Sequence, residues 1–161
     1  MLVEMQKDRF EALDDEALFL ACTEPAIDRM RGHSLALKAE TISGLNPGQQ
    51  ALCMFRVLYP AQASEADFEA WTAYLLEQPA YWQGVHGGLR FWGETDLLRL
   101  LEDAREVLAA KRIEQAGEDR KAIQSAIRSL FERFQSQVRG ALTRIGIYIR
   151  SRPQEFVQLT S

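Results

Sequence analysis

"YWQGVHGGLRFWGETDLL", residues 81–98, gathers four glycines, two tryptophans and one of the chain's two histidines into eighteen positions. A glycine-rich loop beside a histidine would cradle a phosphate, whereas a helix with glycines on one face would pack tightly inside a bundle. Spacing favours the helix. Trp82, Val85, Leu89 and Trp92 fall three, four and three apart, the stripe of one buried helix face. Gly84 and Gly88 lie four apart on another face, where missing Cβ atoms admit a neighbouring helix or ring. Gly93 stands where a left-handed C-terminal residue belongs, and Thr95 is placed to cap the next helix. Phosphate cradles need GxxxxGK followed by Ser or Thr, or GxGxxG between a strand and a helix, and neither pattern occurs here.

The neighbouring segments extend the same grammar. "SEADFEAWTAYLLEQP" opens on Ser64 as cap, carries Phe68, Trp71 and Leu75 on one side, and ends near Gln78. "NPGQQALCMFRVLYP" has Asn46 as cap and Pro47 at the first helical position, predicting a helix over 47–59 that buries Leu52, Phe55 and Tyr59. After the glycines, Leu97, Leu101, Ala104 and Leu108 predict a helix over 95–114. Residues 2–22 place Phe10, Leu13, Ala17 and Leu20 on one stripe, as one amphipathic helix or two short ones. From Glu24 to Leu45, Pro25, Gly32 and Gly44 interrupt the pattern and "HSLALKAETI" alternates like a strand, so a short helix followed by an irregular crossing is expected.

From Glu118 onward, Ile123, Ile127, Leu130, Phe134, Val138, Leu142, Ile145 and Ile149 form one apolar stripe. A straight helix over 119–150 would run roughly 48 Å, so Gly140 or Gly146 is expected to break or bend it. Pro153 closes the run and "EFVQL" lies back on the body. The fold class that follows is all-α: a single-domain helical bundle (1–161) of six to eight helices with a long, bent C-terminal helix. Residues 1–45 supply N-terminal helices and a crossing, 46–115 a four-helix section, and 118–161 a C-terminal helical extension.

With 161 residues, 47% hydrophobic and 26% charged, the chain is long enough to bury a core without staples. "MLVEMQKDRF" lacks the unbroken apolar run of a signal peptide, and no stretch approaches the roughly 18 apolar residues of a membrane span. A cytoplasmic chain with no membrane partner is the expectation. Cys22 and Cys53 stand 31 positions apart without a CxxC, so neither a disulfide framework nor a zinc site is expected. The net charge of −4 is unevenly spread: residues 1–110 carry nine Lys/Arg and eighteen Asp/Glu, giving −9, while residues 111–161 carry ten and five, giving +5. The two halves are expected to attract one another, within the fold or between subunits.

No HxxxH, HxxE, GxSxG or SxxK pattern appears, so no catalytic residue, metal ligand or cofactor is assigned. As a general base, His86 would pair with Glu94 or Glu77. Glu11, Asp14 and Asp15 within one turn read as a solvated acidic face. Phe68, Trp71, Tyr74, Tyr81, Trp82, Phe91 and Trp92 fall within 25 residues, more aromatic surface than one helical stripe can bury, so some must be exposed or line a groove. Trp71, Trp82, His86, Trp92 and Glu94 are therefore the candidate ligand-binding residues. Arg128, Arg139 and Arg150 recur every eleven residues, as do Arg133 and Arg144, and are expected to form a solvated or acid-facing surface before they follow a phosphate backbone.

"LNPGQQALCMFRVLYP", an aromatic-rich helix, "GLRFWG" and "TDLLRLLEDAREVL" follow in an order that resembles a family of bacterial helical domains of unknown function, which includes DNA-mimic proteins. The resemblance spans about residues 45–110. That family's second helix usually carries Asn-Gly-Gly-Phe; here the stretch reads "SEADFEAW", in which only Phe68 has a counterpart. The resemblance implies an all-helical fold with no established catalytic residues, and the acidic excess before residue 111 fits a DNA mimic.

The function expected from these features is that of a non-enzymatic interaction or regulatory protein. A small-ligand binder or enzyme with a pocket around His86 and Glu94 is the first alternative, and nucleic-acid binding through the basic C-terminal helix the second. The length of the C-terminal stripe points to a protein partner or a homodimer, with Phe131, Phe134 and Tyr148 as interface candidates.

Overall fold

The computed structural model describes residues 2–113 and 117–161. After strand β1 (Val3–Gln6) and helix α1 (Lys7–Ala12), short polar side chains fix where the next helices begin. Asp14 Oδ1 accepts from Ala17 N at 2.8 Å and opens α2 (Asp15–Met30). Ser34 Oγ accepts from Leu37 N at 3.3 Å and opens α3 (Leu35–Ser43). Asn46 and Gln49 form a reciprocal capping box at the start of α4 (Pro47–Leu58), and Ser64 caps α5 (Glu65–Leu76). Each satisfies a first-turn N–H that the helix itself leaves without a partner. Helices α6 (Pro79–Trp92), α7 (Thr95–Ile113) and α8 (Gly117–Ser151) follow, and strand β2 (Val157–Thr160) ends the chain. Eight α-helices among the described residues make the fold all-α, as the periodicity predicts.

The stretch over 81–98 is a helix and its exit. Val85 and Leu89 are each 1% exposed, while Trp82 and Trp92 are half-buried at the ends of the stripe. On the glycine face, a Cβ built at Gly88 would lie 2.9 Å from Met54 Cβ and 3.2 Å from the Ala51 carbonyl oxygen, so α6 lies directly on α4. Gly93 is left-handed at φ 71°, and its N–H reaches the Arg90 carbonyl oxygen. Thr95 is the first residue of α7 and not its cap; Glu94 precedes the helix, and its carbonyl oxygen accepts from Leu98 N at 3.1 Å.

Four expectations need correction. Pro25 does not end α2, although it forfeits one backbone bond. Buried Cys22, Thr23, Ala26 and Met30 on both sides of the proline hold the helix against its neighbours. The irregular crossing is instead helix α3, fixed by a small apolar cluster of Ala26, Met30, Leu45 and Cys53, onto which Ile27 and Ile42 pack. Of the break or bend expected at Gly140 or Gly146 the break does not occur: α8 continues through both glycines for 35 residues, about 52 Å of helix at 1.5 Å per residue. Its fully buried positions begin only at Ile127, so its first turns extend beyond the main core. Gly146 brings α8 close to the Asp15 carboxylate at the start of α2.

The fourth correction is a parallel strand pair, Val3 with Val157 through Gln6 with Thr160, joining the two ends of the chain. Val3 N donates to the Phe156 carbonyl oxygen at 3.1 Å, and Met5, Phe156 and Val157 are buried beneath the pair. The main apolar core extends from Met5 to Val157 and centres on Phe19, Phe55, Phe68 and Phe134.

Candidate binding site

His86 is buried on α6 with both ring nitrogens engaged. Its Nδ1 donates to the Trp82 carbonyl oxygen at 2.8 Å, and its Nε2 lies 3.2 Å from Glu102 on α7. The Trp82 ring packs beside it, with centroids 4.6 Å apart. Neither carboxylate expected beside it is there. Glu94, 4% exposed, receives two 2.7 Å hydrogen bonds from Arg144 Nε and Nη2, and Glu77 pairs with Arg112 at 3.2 Å. The hydrogen bonds to Glu94 raise the Arg144 pKa further above its already high ordinary value. Each ionisable group expected to form a pocket with His86 thus serves a different helix–helix tie.

The tryptophans also part company. Trp92 packs edge-on against Tyr148 at 5.2 Å and Phe91 at 4.9 Å, with its indole Nε1 buried and unpartnered. Trp71 donates its indole N–H to the Val57 carbonyl oxygen and stacks near Tyr74 at 5.4 Å. Among the interface candidates, Phe134 is wholly inside the core, Phe131 sits 6.1 Å from Phe68, and Tyr148 lies between Trp92 and Phe156. Phe134 is therefore covered by its own chain, and Phe131 and Tyr148 are partly covered.

Charge complementarity is likewise internal. Arg128 binds Glu65, Arg133 lies 3.9 Å from Asp103, Arg144 holds Glu94 and Arg150 reaches Asp15. Lys111 adds a 2.6 Å contact with Glu69. Hydrogen bonds from Arg128 and Gln124 hold the Glu65 carboxyl below its usual range. Four of the five periodic arginines on α8, all but Arg139, thus face acids of α2, α5, α7 or the turn before α7.

The feature that the sequence left unread lies between α3 and the paired helices α4 and α6. An open groove of about 710 Å³ is lined by Leu35, Ala39, Ile42, Met54, Tyr81 and Gly84. A hollow of about 230 Å³ adjoins it at Lys38, Ile42 and Tyr81 and reaches Trp71, while another of about 360 Å³ adjoins it at Ile42, Met54 and Gly84. Ile42 borders all three, so the hollows lie side by side around it and together make up a trough. Of the expected ligand-binding residues, only Trp71 borders this space; Trp82, His86, Trp92 and Glu94 do not.

Matched against protein-family models, curated proteins and solved structures, the chain has no counterpart. Among the described residues no helix is long and apolar enough to cross a membrane, and no group of three or more His, Cys, Asp or Glu is placed to hold a metal. The concavity best suited to a ligand is the groove of about 710 Å³: its volume lies within the roughly 300–1,000 Å³ range of small-molecule sites, and its walls are mainly apolar. A signal for it was present. Leu35, Ala39 and Ile42 are spaced four and three apart, a helical stripe that the alternation of "HSLALKAETI" obscures.

Proposed function

We propose that this chain is a non-enzymatic interaction protein that works by holding an apolar body in the trough between α3, α4 and α6. The observation that carries the reading is the half-open apolar space itself. α3 is anchored near its C-terminal end by Thr41, Ile42 and the following Leu45, yet Leu35, Ala36 and Ala39 at its other end remain exposed over the groove. A folded chain gains by covering such surface, at about 25 cal/mol per Å². Leaving it open favours a ligand that covers it instead. The engagement of His86 with Trp82 and Glu102, and of Glu94 with Arg144, also weighs against a reaction centre at those residues.

A neutral environment-sensitive dye, Nile red, tests the reading. One saturable site with a strong fluorescence gain is expected for the native chain. Ala39→Trp fills the groove from an exposed helix position and should abolish binding while leaving the melting temperature within a few degrees. Equal dye binding by a folded Ala39→Trp variant would contradict the proposal.

A further inference from the structure

The trough carries an unusual charge pattern for this chain. Residues 1–110 hold eighteen acids against nine bases, yet no Asp or Glu lines any of the three hollows among the described residues. Their charged lining residues are Lys38, which borders two of them, and Arg31. Arg31 is already matched by Asp28 at 3.1 Å and Glu24 at 3.7 Å. The half-buried Lys38 side chain makes no hydrogen bond or ion pair among the described residues. One lysine without a matching acid thus borders two apolar hollows.

We infer that the trough takes an anionic amphiphile, a single aliphatic chain ending in a carboxylate, with the chain along Ile42, Met54 and Gly84 and the carboxylate at Lys38. This rests on the groove reading proposed above and specifies its ligand. A flexible chain suits adjoining hollows of unequal size better than a rigid ring system, and Met54 can adapt to it because a thioether side chain has three soft torsions. Gly84 lets the Met54 side chain lie flat against α6, since a Cβ there would come 2.6 Å from Met54 Sδ, and both residues line the groove. The head group follows from charge matching. A single free cation suits a singly charged carboxylate, and a charge-assisted hydrogen bond in a partly buried setting is stronger than a neutral one. A cationic head would meet Lys38 with like charge and no acid to offset it.

The experiment is displacement of Nile red from the full chain by decanoate, 1-decanol and decyltrimethylammonium, each below its micellar concentration. Decanoate should displace at the lowest concentration and decyltrimethylammonium at the highest. Lys38→Gln should weaken decanoate roughly three- to tenfold and leave 1-decanol unchanged. Ala39→Trp should abolish all three. If 1-decanol competes as well as decanoate, or Lys38→Gln has no effect, the anion inference falls while the groove reading stands. If none of the three displaces the dye and Ala39→Trp leaves dye binding intact, both fall. Tighter binding of decyl phosphate than of decanoate would overturn the carboxylate assignment. A dimer that decanoate dissociates would make a second copy of the chain the natural occupant, and would overturn the amphiphile.

Discussion

Arg144 grips Glu94 through two parallel hydrogen bonds of 2.7 Å, although the arginine side chain is 58% exposed and the glutamate side chain only 5%. The asymmetry decides what each substitution does. Arg144→Ala leaves a carboxylate buried at the start of α7 without its charged donors and should cost about 2–3 kcal/mol. Glu94→Gln keeps an acceptor and the side-chain volume, and should cost about 1 kcal/mol. Urea unfolding of both variants checks this; equal losses would contradict the burial argument.

Gly87 and Gly88 are adjacent on α6 and should respond to alanine with opposite signs. At Gly88 the new Cβ would crowd Met54 Cβ and the Ala51 backbone, neither of which can swing away, so Gly88→Ala should cost about 1–3 kcal/mol. At Gly87 a Cβ would meet nothing within 4 Å, and Gly87→Ala should gain about 0.5–1 kcal/mol from helix propensity. Thermal melts of the two variants test the α4–α6 contact directly.

Alkaline pH should destabilise the protein. Burial pushes the Cys22 thiol up to about 12 and the Cys53 thiol up to about 11, from an ordinary 9.0. Burial, then the hydrogen bond to Glu16, raises Tyr59 as well. The folded chain keeps these protons at pH values where the unfolded chain has lost them. Their stabilising contribution is therefore complete below about pH 9 and declines as pH rises through 11 and 12. Melting temperatures should fall between pH 8 and pH 10.5, less steeply in a Cys22→Ala, Cys53→Ala variant. Neither thiol should react with Ellman's reagent until the chain unfolds.

Light scattering at micromolar concentration should return a mass near 18.3 kDa in the absence of ligand. Phe134 and much of the α8 stripe are covered by the chain's own core, and four of the five periodic arginines are matched by its own acids. A concentration-independent mass of twice that value would contradict the monomer and point to an interface outside the buried part of the stripe, where Ile147 and Phe91 are exposed.

What could be read from the sequence was local. Caps at Asn46 and Ser64 and the stripe from Trp82 to Trp92 are short-range signals, and each produced the helix it predicts. The misreadings arose where distant residues override local preference. Pro25 stays helical because the residues around it are buried against other elements, and α8 continues through Gly146 with Ile145 and Ile149 buried beside it, where a Cβ would collide with the Asp15 carboxylate. β1 and β2 are four residues each and pair across the whole length of the chain, which no window along the sequence reveals. His86 found Glu102 rather than Glu94 because Arg144, fifty residues further on, claims Glu94. The trough is the same kind of feature, since its walls come from three helices and only α3 shows a stripe without an evident partner.

Amide chemical-shift mapping of the isotope-labelled chain during titration with decanoate tests the central claim most directly. Saturable shifts should cluster on the backbone of α3, α4 and the first turns of α6, with Ile42, Met54 and Gly84 among the largest, and should vanish in Ala39→Trp. Shifts centred instead on Phe91, Trp92 and Tyr148, or spread without a focus, would contradict it.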